Sequence, residues 1–235
     1  MAVVLFDLDD TLFDHQFCSR AGLAAVQATF PGRLPGTVEA VEARYRVLLE
    51  EWHLKVLAGL VTSEASRVER FREMLSDEQH TATDEESQHA ATCYREAFDQ
   101  AYRPVPGALA LLQRIRGECP IGIVTNHLVA EQVEKIAKIG VEPYVDALVV
   151  SEAVGEPKPA APIFEVALAR LGGTAEQAVM IGDSWASDIV GAAGMGIRAI
   201  WLNRYESPCP DPAMATEIRA LEPVDAVAEL ILRSS

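Results

Sequence analysis

The sequence predicts an α/β fold, namely a doubly wound (Rossmann-like) parallel sheet core that carries an inserted α-helical cap domain. Two observations predict it. Five short apolar runs are spread over the 235 residues, and helical stretches separate the last four of them. The long segment between the first and second runs contains no convincing strand. We therefore expect residues 1–16 and 103–235 to form the core and residues 17–102 to form the cap.

The five apolar runs are rich in β-branched and bulky residues, and they are nearly continuous instead of alternating with polar residues. This pattern is typical of strands that are buried on both faces of a parallel sheet. The five predicted strands are Val3–Asp7, Ile121–Thr125, Ala147–Ser151, Ala178–Asp183 and Ile197–Leu202.

Two segments between these runs have a helical pattern. The segment 128–139 places Val133, Ile136 and Ala137 on one face, which is the face expected to pack on the sheet. The segment 162–171 begins with a proline, which suits a first helical turn, and a glycine follows it, which suits a helix end. Alternating strands and helices favour right-handed crossovers and a doubly wound sheet.

The inserted segment has the pattern of several helices. Thr83 with Glu86 three residues later predicts a capping box. Two prolines and a glycine between residues 104 and 107 mark the return to the core. The predicted helices are Ser19–Thr29, Thr37–Leu57, Ser63–Asp77 and Asp84–Ala101.

The composition limits the possible partners. Hydrophobic residues make up 49% of the chain, which argues against extended disorder. The net charge of −15 repels nucleic acid and anionic membranes, so neither is an expected partner. A phosphorylated substrate would be repelled as well, so any phosphate site must supply its own local positive charge.

The chain also gives indications of location. The four cysteines are widely spaced and form no CxxC pair, which favours free thiols in a reducing compartment. The first apolar run is too short for a signal peptide, lacks a basic flank and ends in acids. No apolar stretch approaches the length of a membrane span. We expect a soluble, cytoplasmic protein.

The ends of the predicted strands carry the chemistry. In an open parallel sheet, ligands bind at the carboxyl ends of the strands. The first strand ends in Asp7, followed by Asp9, and the second ends in Thr125 and Asn126. A loop after the third strand carries Lys158. The fourth strand is followed by Asp183, Ser184 and, a little further on, Asp188.

These residue types suit phosphoryl transfer. Asp7 and Asp183, on different strands, can share Mg²⁺, which takes one or two carboxylates together with water and substrate phosphate. Asp7 can then attack phosphorus and form an aspartyl-phosphate. Asp9 can protonate the leaving oxygen and later deprotonate the attacking water. The sequence therefore predicts Asp7 as nucleophile, Asp9 as general acid/base and Mg²⁺ as cofactor.

The remaining strand-end residues supply the phosphate site. Thr125 and Asn126 lie where a helix begins, so their side chains and the backbone N–H groups there can hold phosphate oxygens. Lys158 supplies a fixed positive charge against the developing transition state. Each motif alone is a weak signal, since an acidic turn or a lysine between prolines is usually a solvated loop. Their joint occurrence at successive strand ends makes a functional site the favoured interpretation.

The four segments FDLDDTLFD, IVTN, GEPKP and IGDSWASD resemble the four motifs of the haloacid dehalogenase-like hydrolase superfamily. The resemblance implies the same roles for Asp7, Asp9, Thr125, Lys158 and Asp183. It further implies that the backbone carbonyl of Asp9 is a Mg²⁺ ligand, that Asp188 orients Lys158 or metal-bound water, and that Ser184 supports the site. In the superfamily, an α-helical C1-type cap inserted at this point closes over the site and selects the substrate.

The stretch from Tyr144 to Asn203 is similar to two subgroups, the pyrimidine 5′-nucleotidases and the N-acylneuraminate-9-phosphate phosphatases. Both act on small phosphate monoesters, so the expected partner is a small phosphorylated metabolite. Those subgroups usually have glycine after the TN of the second motif, where this chain has His127. This histidine is either a substrate contact or a loop residue without a role in binding.

Three alternatives stay open at this stage. A haloacid dehalogenase attacks carbon, uses no Mg²⁺ and needs no acid at the second position, so Asp9 argues against that branch. A phosphomutase keeps both aspartates and is not excluded. A non-catalytic scaffold would be expected to have lost at least one of Asp7, Asp9, Lys158 and Asp183, and all four are present. The substrate and the oligomeric state, monomer or homodimer, cannot be predicted from the sequence.

Overall fold

The computed structural model describes residues 3–233. Within that range the chain forms two compact units. One unit combines the residues up to Asp14 with those from Arg103 onward, and the other comprises His15–Tyr102. The helical unit starts two residues before the predicted limit of 17, because its first helix already begins at His15.

A six-stranded sheet forms the centre of the first unit, with the strand order β3-β2-β1-β4-β5-β6 and parallel pairing throughout. The chain passes from β1 outward through β2 to β3. It then continues on the other side of β1 through β4, β5 and β6. This arrangement is a doubly wound sheet with its switch point beside β1, which confirms the predicted fold class. The strands are β1 (Val3–Phe6), β2 (Ile121–Thr125), β3 (Ala147–Val150), β4 (Ala178–Gly182), β5 (Arg198–Leu202) and β6 (Thr216–Ile218).

Strand β6 at the edge of the sheet is absent from the sequence-based prediction. It pairs with β5, with Leu202 opposite Ile218, but two of its three residues are exposed. An edge strand of this kind needs neither an apolar run nor a regular alternation, so its sequence carries no strand pattern. The five apolar runs, in contrast, correspond to β1–β5, which are largely buried.

The helical unit contains four helices. Thr37, Thr62 and Thr83 cap α2, α3 and α4 by accepting hydrogen bonds from backbone N–H groups, and Thr83 with Glu86 forms the predicted capping box. The rings of Tyr45, Phe71 and Tyr94 pack against one another with centroids 5.1–5.3 Å apart and form the aromatic centre of this unit. The helices are α1 (His15–Thr29), α2 (Val38–Leu57), α3 (Ser63–Leu75) and α4 (Asp84–Gln100).

The helices of the first unit cover the sheet. Helix α8 is buried through Ile163, Phe164, Ala167 and Leu168, which join the apolar cluster on one face of the sheet. Its proline in the first turn and its left-handed glycine at the end agree with the sequence pattern. These helices are α5 (Ala108–Ile115), α6 (Val129–Lys138), α7 (Ser151–Val154), α8 (Ala161–Leu171), α9 (Val190–Gly194) and α10 (Val224–Leu232).

Helix α6 differs from its sequence-based prediction. Of the three apolar residues expected on its packed face, Ile136 is buried, but Val133 is 46% exposed and Ala137 is exposed as well. The buried residues of α6 are instead Gln132, Lys135 and Ile136. The prediction is wrong for Val133 and Ala137, because the inner face of α6 meets polar groups at the strand ends instead of an apolar surface.

A polar cluster closes the first unit where the chain leaves and re-enters it. The backbone N–H of Asp14 donates to the carbonyl of Arg103 over 3.1 Å. The Arg103 guanidinium donates to the buried Asp14 carboxylate over 2.6 and 2.8 Å, and Arg204 donates to its other oxygen over 2.9 Å. These bonds hold Asp14, where the chain leaves the first unit, next to Arg103, where it returns.

Among the helices of residues 3–233, none combines the length and the apolar composition needed to cross a membrane.

Candidate active site

Asp7 lies at the switch point of the sheet. It directly follows β1, and its backbone N–H donates to the carbonyl of Ile181 in β4 over 2.9 Å. On the other side, β1 pairs with β2 through Phe6 and Ile123. This register brings the ends of β1, β2 and β4 next to one another, so Asp7, Thr125 and Asp183 come from three adjacent strand ends.

Lys158 joins two carboxylates. Its Nζ donates to Asp7 Oδ1 over 2.5 Å and to Asp188 Oδ1 over 2.6 Å, and all three residues are buried. Burial disfavours the ammonium, but the charges of Asp188 and Asp7 outweigh it and raise the pKa of Lys158. A buried charge persists only when it is paired and hydrogen-bonded. The lysine therefore stays charged beside Asp7.

Asn126 fixes the loop that carries Lys158. Its Oδ1 accepts from the Lys158 backbone N–H over 2.7 Å, and its Nδ2 donates to the Lys158 carbonyl over 2.9 Å. This reciprocal pair replaces the backbone bonds that a loop residue otherwise lacks. The amide of Asn126 thus holds the lysine in place. Contact of Asn126 with phosphate stays a prediction.

Asp188 reaches Lys158 because of an unusual turn after β4. Residues Trp185–Ile189 form a π-helical turn, which the sequence-based prediction did not include. Asp188 Oδ2 accepts from the Ser184 N–H over 3.0 Å, and Ser184 Oγ accepts from the Ser187 N–H over 3.3 Å. A Cβ on Gly182 would lie 2.2 Å from Asp188 Oδ2, so only glycine leaves room for this carboxylate.

Asp183 completes a group of three carboxylates. Oxygen atoms of Asp7, Asp183 and Asp188 lie within 4.8 Å of one another. The Asp183 N–H donates to the hydroxyl of Thr11 over 3.1 Å, and its carbonyl accepts from Trp201 Nε1 over 2.8 Å. Burial raises the pKa of Asp183 well above its usual range, and repulsion from Asp7 and Asp188 adds to this effect.

Asp9 is bound by residues that sequence reasoning missed. Lys135 Nζ donates to both Asp9 oxygens, over 2.6 and 2.8 Å, and Gln132 Nε2 donates to Asp9 Oδ2 over 3.1 Å. The same Gln132 nitrogen donates to Thr125 Oγ1 over 2.6 Å. Two polar residues three positions apart on an otherwise amphipathic helix were the only signal in the sequence.

His127 lies on the loop before α6. Its Nδ1 is 3.6 Å from Glu131 Oε2, and its backbone carbonyl accepts a weak bond of 3.5 Å from the Ser151 hydroxyl. A role in substrate binding therefore stays a prediction.

The charge balance of the site fits a divalent cation. Lys135 and Lys158 are two ammonium groups, while Asp7, Asp9, Asp183 and Asp188 are four carboxylates, which leaves two negative charges when all are ionised. Burial raises the pKa of Asp7 to about 7, with Lys158 opposing this shift and Asp188 adding to it. Oxygen donors crowded in this way are the ligand type that Mg²⁺ prefers.

Two characterised proteins are similar in sequence. The pyrimidine 5′-nucleotidase YjjG of Escherichia coli is 32% identical over 212 residues, which is 88% of each chain. The ribulose-1,5-bisphosphate 5-phosphatase of Halopiger xanaduensis is 30% identical over 238 residues, which is 97% of this chain and 96% of its own.

Two solved structures are similar in fold. The HAD hydrolase YfnB of Bacillus subtilis, bound to magnesium, has a TM-score of 0.74 and 25% identity, covering 97% of this chain and 98% of its own. A 2-haloacid dehalogenase of Pseudomonas syringae has a TM-score of 0.61 and 26% identity, covering 97% of each chain.

The family model described as haloacid dehalogenase-like hydrolase matches residues 1–196, a range that contains all four motif segments. The sequence-based assignment is confirmed. The protein belongs to the haloacid dehalogenase-like hydrolases.

Proposed function

We propose that the protein is a Mg²⁺-dependent phosphatase that hydrolyses a small phosphate monoester through an aspartyl-phosphate on Asp7. One observation carries this proposal. The Lys158 ammonium binds Asp7 and Asp188 within a group of carboxylates that includes Asp183, while Asp9 stands nearby on separate partners. The groups at this edge of the sheet suit the roles of nucleophile, fixed positive charge, metal ligand and general acid/base, which supports the proposal.

Asp7 acts as the nucleophile. One of its oxygens attacks phosphorus, a new O–P bond forms, and the bond between phosphorus and the leaving oxygen breaks. Lys158 holds Asp7 Oδ1 and offsets the charge that develops on the phosphoryl group. A lysine fixed by Asp188 and by the loop contacts of Asn126 needs little rearrangement for this task.

Asp9 acts as the general acid and base. It gives a proton to the leaving oxygen in the first step and takes one from water in the second, when that water attacks the aspartyl-phosphate and releases inorganic phosphate. The Asp9 side chain is 28% exposed, which leaves part of the carboxylate accessible from outside.

Thr125 is the proposed phosphate-binding hydroxyl, and the backbone around Asn126 supports it. Asp7, Asp183 and the backbone carbonyl of Asp9 would hold Mg²⁺, with Asp188 and Ser184 supporting them. The bound ion would neutralise the carboxylates and the incoming phosphate. The excess of two negative charges described above supports this part of the proposal.

The relatives support a proposal for the substrate class. One acts on pyrimidine nucleotides and another on a sugar bisphosphate, so a nucleotide monophosphate or a sugar phosphate is the proposed substrate. We further propose that residues 17–102 act as the cap that selects it. Specificity would then depend on residues of α1–α4, because the strand-end residues would contact only the phosphate.

The dehalogenase alternative is disfavoured by the residues themselves. Attack on carbon displaces a halide and requires neither a general acid nor a cation, whereas this chain places Asp9 on two dedicated partners and gathers three carboxylates. A scaffold would not need to keep a buried lysine between two buried aspartates. A phosphomutase shares the same first step and is separated by the product.

The test is phosphate release from a panel of phosphorylated metabolites and 2-haloacids, with Mg²⁺ and with EDTA, by wild type, Asp7→Asn and Asp225→Asn. We expect Mg²⁺-dependent phosphate release, no halide release, and a loss of at least about 10³-fold for Asp7→Asn because its amide cannot act as nucleophile. Asp225 is exposed on α10, so Asp225→Asn serves as the matched control. Undiminished turnover in EDTA or by Asp7→Asn would contradict the proposal.

A further inference from the structure

The buried face of α6 is polar at two positions. Lys135 is 4% exposed and Gln132 is fully buried. Burial of an ammonium costs free energy unless the group is paired and hydrogen-bonded. Lys135 meets that condition through both oxygens of Asp9, and its Nζ also lies 5.3 Å from the ring centroid of Phe13. Helix α6 therefore places the Lys135 ammonium against the Asp9 carboxylate.

The orientation of the Gln132 amide is fixed by its neighbours. In the ionised form that pairs with Lys135, before it takes up the proton for the leaving oxygen, Asp9 only accepts hydrogen bonds. The atom of Gln132 that faces Asp9 Oδ2 must therefore be the nitrogen. The same nitrogen donates its second hydrogen to Thr125 Oγ1 over 2.6 Å. Because the Thr125 hydroxyl accepts this bond, its own hydrogen is left to donate to another acceptor, as a phosphate-binding hydroxyl requires.

We propose that Lys135 and Gln132 are positioning residues for catalysis: Lys135 fixes the Asp9 carboxylate, and Gln132 ties it to the Thr125 hydroxyl. The inference rests on the proposed phosphatase function, in which Asp9 serves the leaving group and Thr125 serves the phosphate. Because the two residues lie on one helix, α6 fixes the position of Asp9, which serves the leaving oxygen, relative to Thr125, which serves the phosphate. Misplacement of a catalytic group by about 1 Å costs about 10²-fold in rate.

The experiment for Lys135 compares two substrates that differ in their need for an acid. 4-Nitrophenolate leaves without protonation, whereas the phenolate of phenyl phosphate benefits from it. The ratio kcat/KM reports the steps up to leaving-group departure. We expect Lys135→Met to lower kcat/KM about 10- to 100-fold for phenyl phosphate and less than about 3-fold for 4-nitrophenyl phosphate.

Two further variants separate positioning from loss of structure. Lys138→Met is the matched control, because Lys138 is on the same helix but pairs with Glu134 at the surface. It should leave both rates unchanged. In an Asp9→Asn background, Lys135→Met should cost less than about 2-fold, because residues that act through one another are not additive.

Gln132→Met tests the other half of the proposal and does not depend on the folding of Lys135→Met. Loss of the donor to Thr125 should lower kcat/KM for both substrates by a similar factor of about 10 and weaken inhibition by inorganic phosphate. Lys135→Met should leave phosphate inhibition unchanged. If either residue had only a structural role, its variant would affect both esters and phosphate inhibition alike.

The outcomes are distinguishable. If wild type with Mg²⁺ releases no phosphate from either ester or from the metabolite panel, the proposed function fails and the inference fails with it. If wild type is active but Lys135→Met changes both esters equally, or adds its full cost to Asp9→Asn, Lys135 is not a positioning residue. If Gln132→Met leaves phosphate inhibition intact, the link to Thr125 is overturned.

Discussion

Helices α6 and α8 both connect parallel strands, yet they bury opposite kinds of surface. Helix α8 buries Ile163, Phe164, Ala167 and Leu168 against the apolar cluster. Helix α6 buries Gln132, Lys135 and Ile136, and leaves Val133 exposed. The difference arises because α8 packs on the apolar face of the sheet, whereas the inner face of α6 meets Asp9 and Thr125 at the strand ends.

The comparison shows that burial has two purposes in this fold. An apolar face contributes stability roughly in proportion to the area removed from water. A polar face contributes little net stability, because desolvation of its charges offsets their attraction. We therefore expect changes under α8 to lower the free energy of unfolding and changes under α6 to lower activity.

The largest expected effect on stability is that of Phe164→Ala. The ring is fully buried, and it fills the space beside Gly191, where a Cβ would lie 2.7 Å from it. We expect a loss of about 3–5 kcal/mol in the free energy of unfolding, measured by urea denaturation. The kcat/KM of the folded fraction should stay within about 2-fold. A large loss of activity with an unchanged free energy of unfolding would contradict the view that the face under α8 serves stability.

The second prediction concerns the charged face and pH. Burial raises the pKa of Asp7 to about 7, against 3.8 for an ordinary aspartate, although Lys158 opposes the shift. Between these values the folded, metal-free protein binds a proton that the unfolded chain has lost, so stability falls as pH rises from about 4 to about 7. The difference between these two pKa values corresponds to a contribution on the order of 4 kcal/mol.

The measurement is urea denaturation in EDTA across this range, for wild type and Asp7→Asn, which lacks the titrating group. The wild type should lose more stability than the variant as pH rises, and Mg²⁺ should restore it most at the upper end. A wild type that gains stability relative to Asp7→Asn over this window would contradict the sign of the pKa shift.

The smallest expected effect concerns two apolar positions of α6 that differ in exposure, Val133 and Ile136. Val133→Ser should change the free energy of unfolding by less than about 0.5 kcal/mol, because the side chain is 46% exposed. Ile136→Ala, at a position only 6% exposed, should cost about 2–5 kcal/mol. Equal costs at the two positions, measured by thermal and urea denaturation, would support the packed face that the sequence pattern indicated.

Much of the fold could be predicted because its strands are short, apolar and buried on both faces, and because prolines, glycines and threonines mark the helix ends. Strand β6 could not be predicted, since its three residues gain their pairing from β5 and carry no pattern of their own. The π-helical turn before α9 was missed for a similar reason. Its shape depends on hydrogen bonds of Ser184 and Asp188, which leave no periodic pattern in the sequence.

The site was predicted where motif residues follow strands, and the structure brings Asp7, Lys158, Asp183 and Asp188 together. Their catalytic roles stay predictions. Gln132 and Lys135 were missed because a helical pattern ranks residues by hydropathy alone. A helix that follows a strand end carrying Thr125 presents its first turns to the site, and polar residues there have a reason to be buried.

The pairing of Asp14 with Arg103 has a consequence for how such proteins diversify. The chain leaves the sheet and returns to it within the span of one backbone hydrogen bond, at a point fastened by two arginines on one carboxylate. No strand of the sheet depends on how many residues lie between these two positions, and the entropy of closing a longer loop rises only slowly with its length. An insertion of another length or sequence can therefore occupy this position without changing how the strands of the sheet pair.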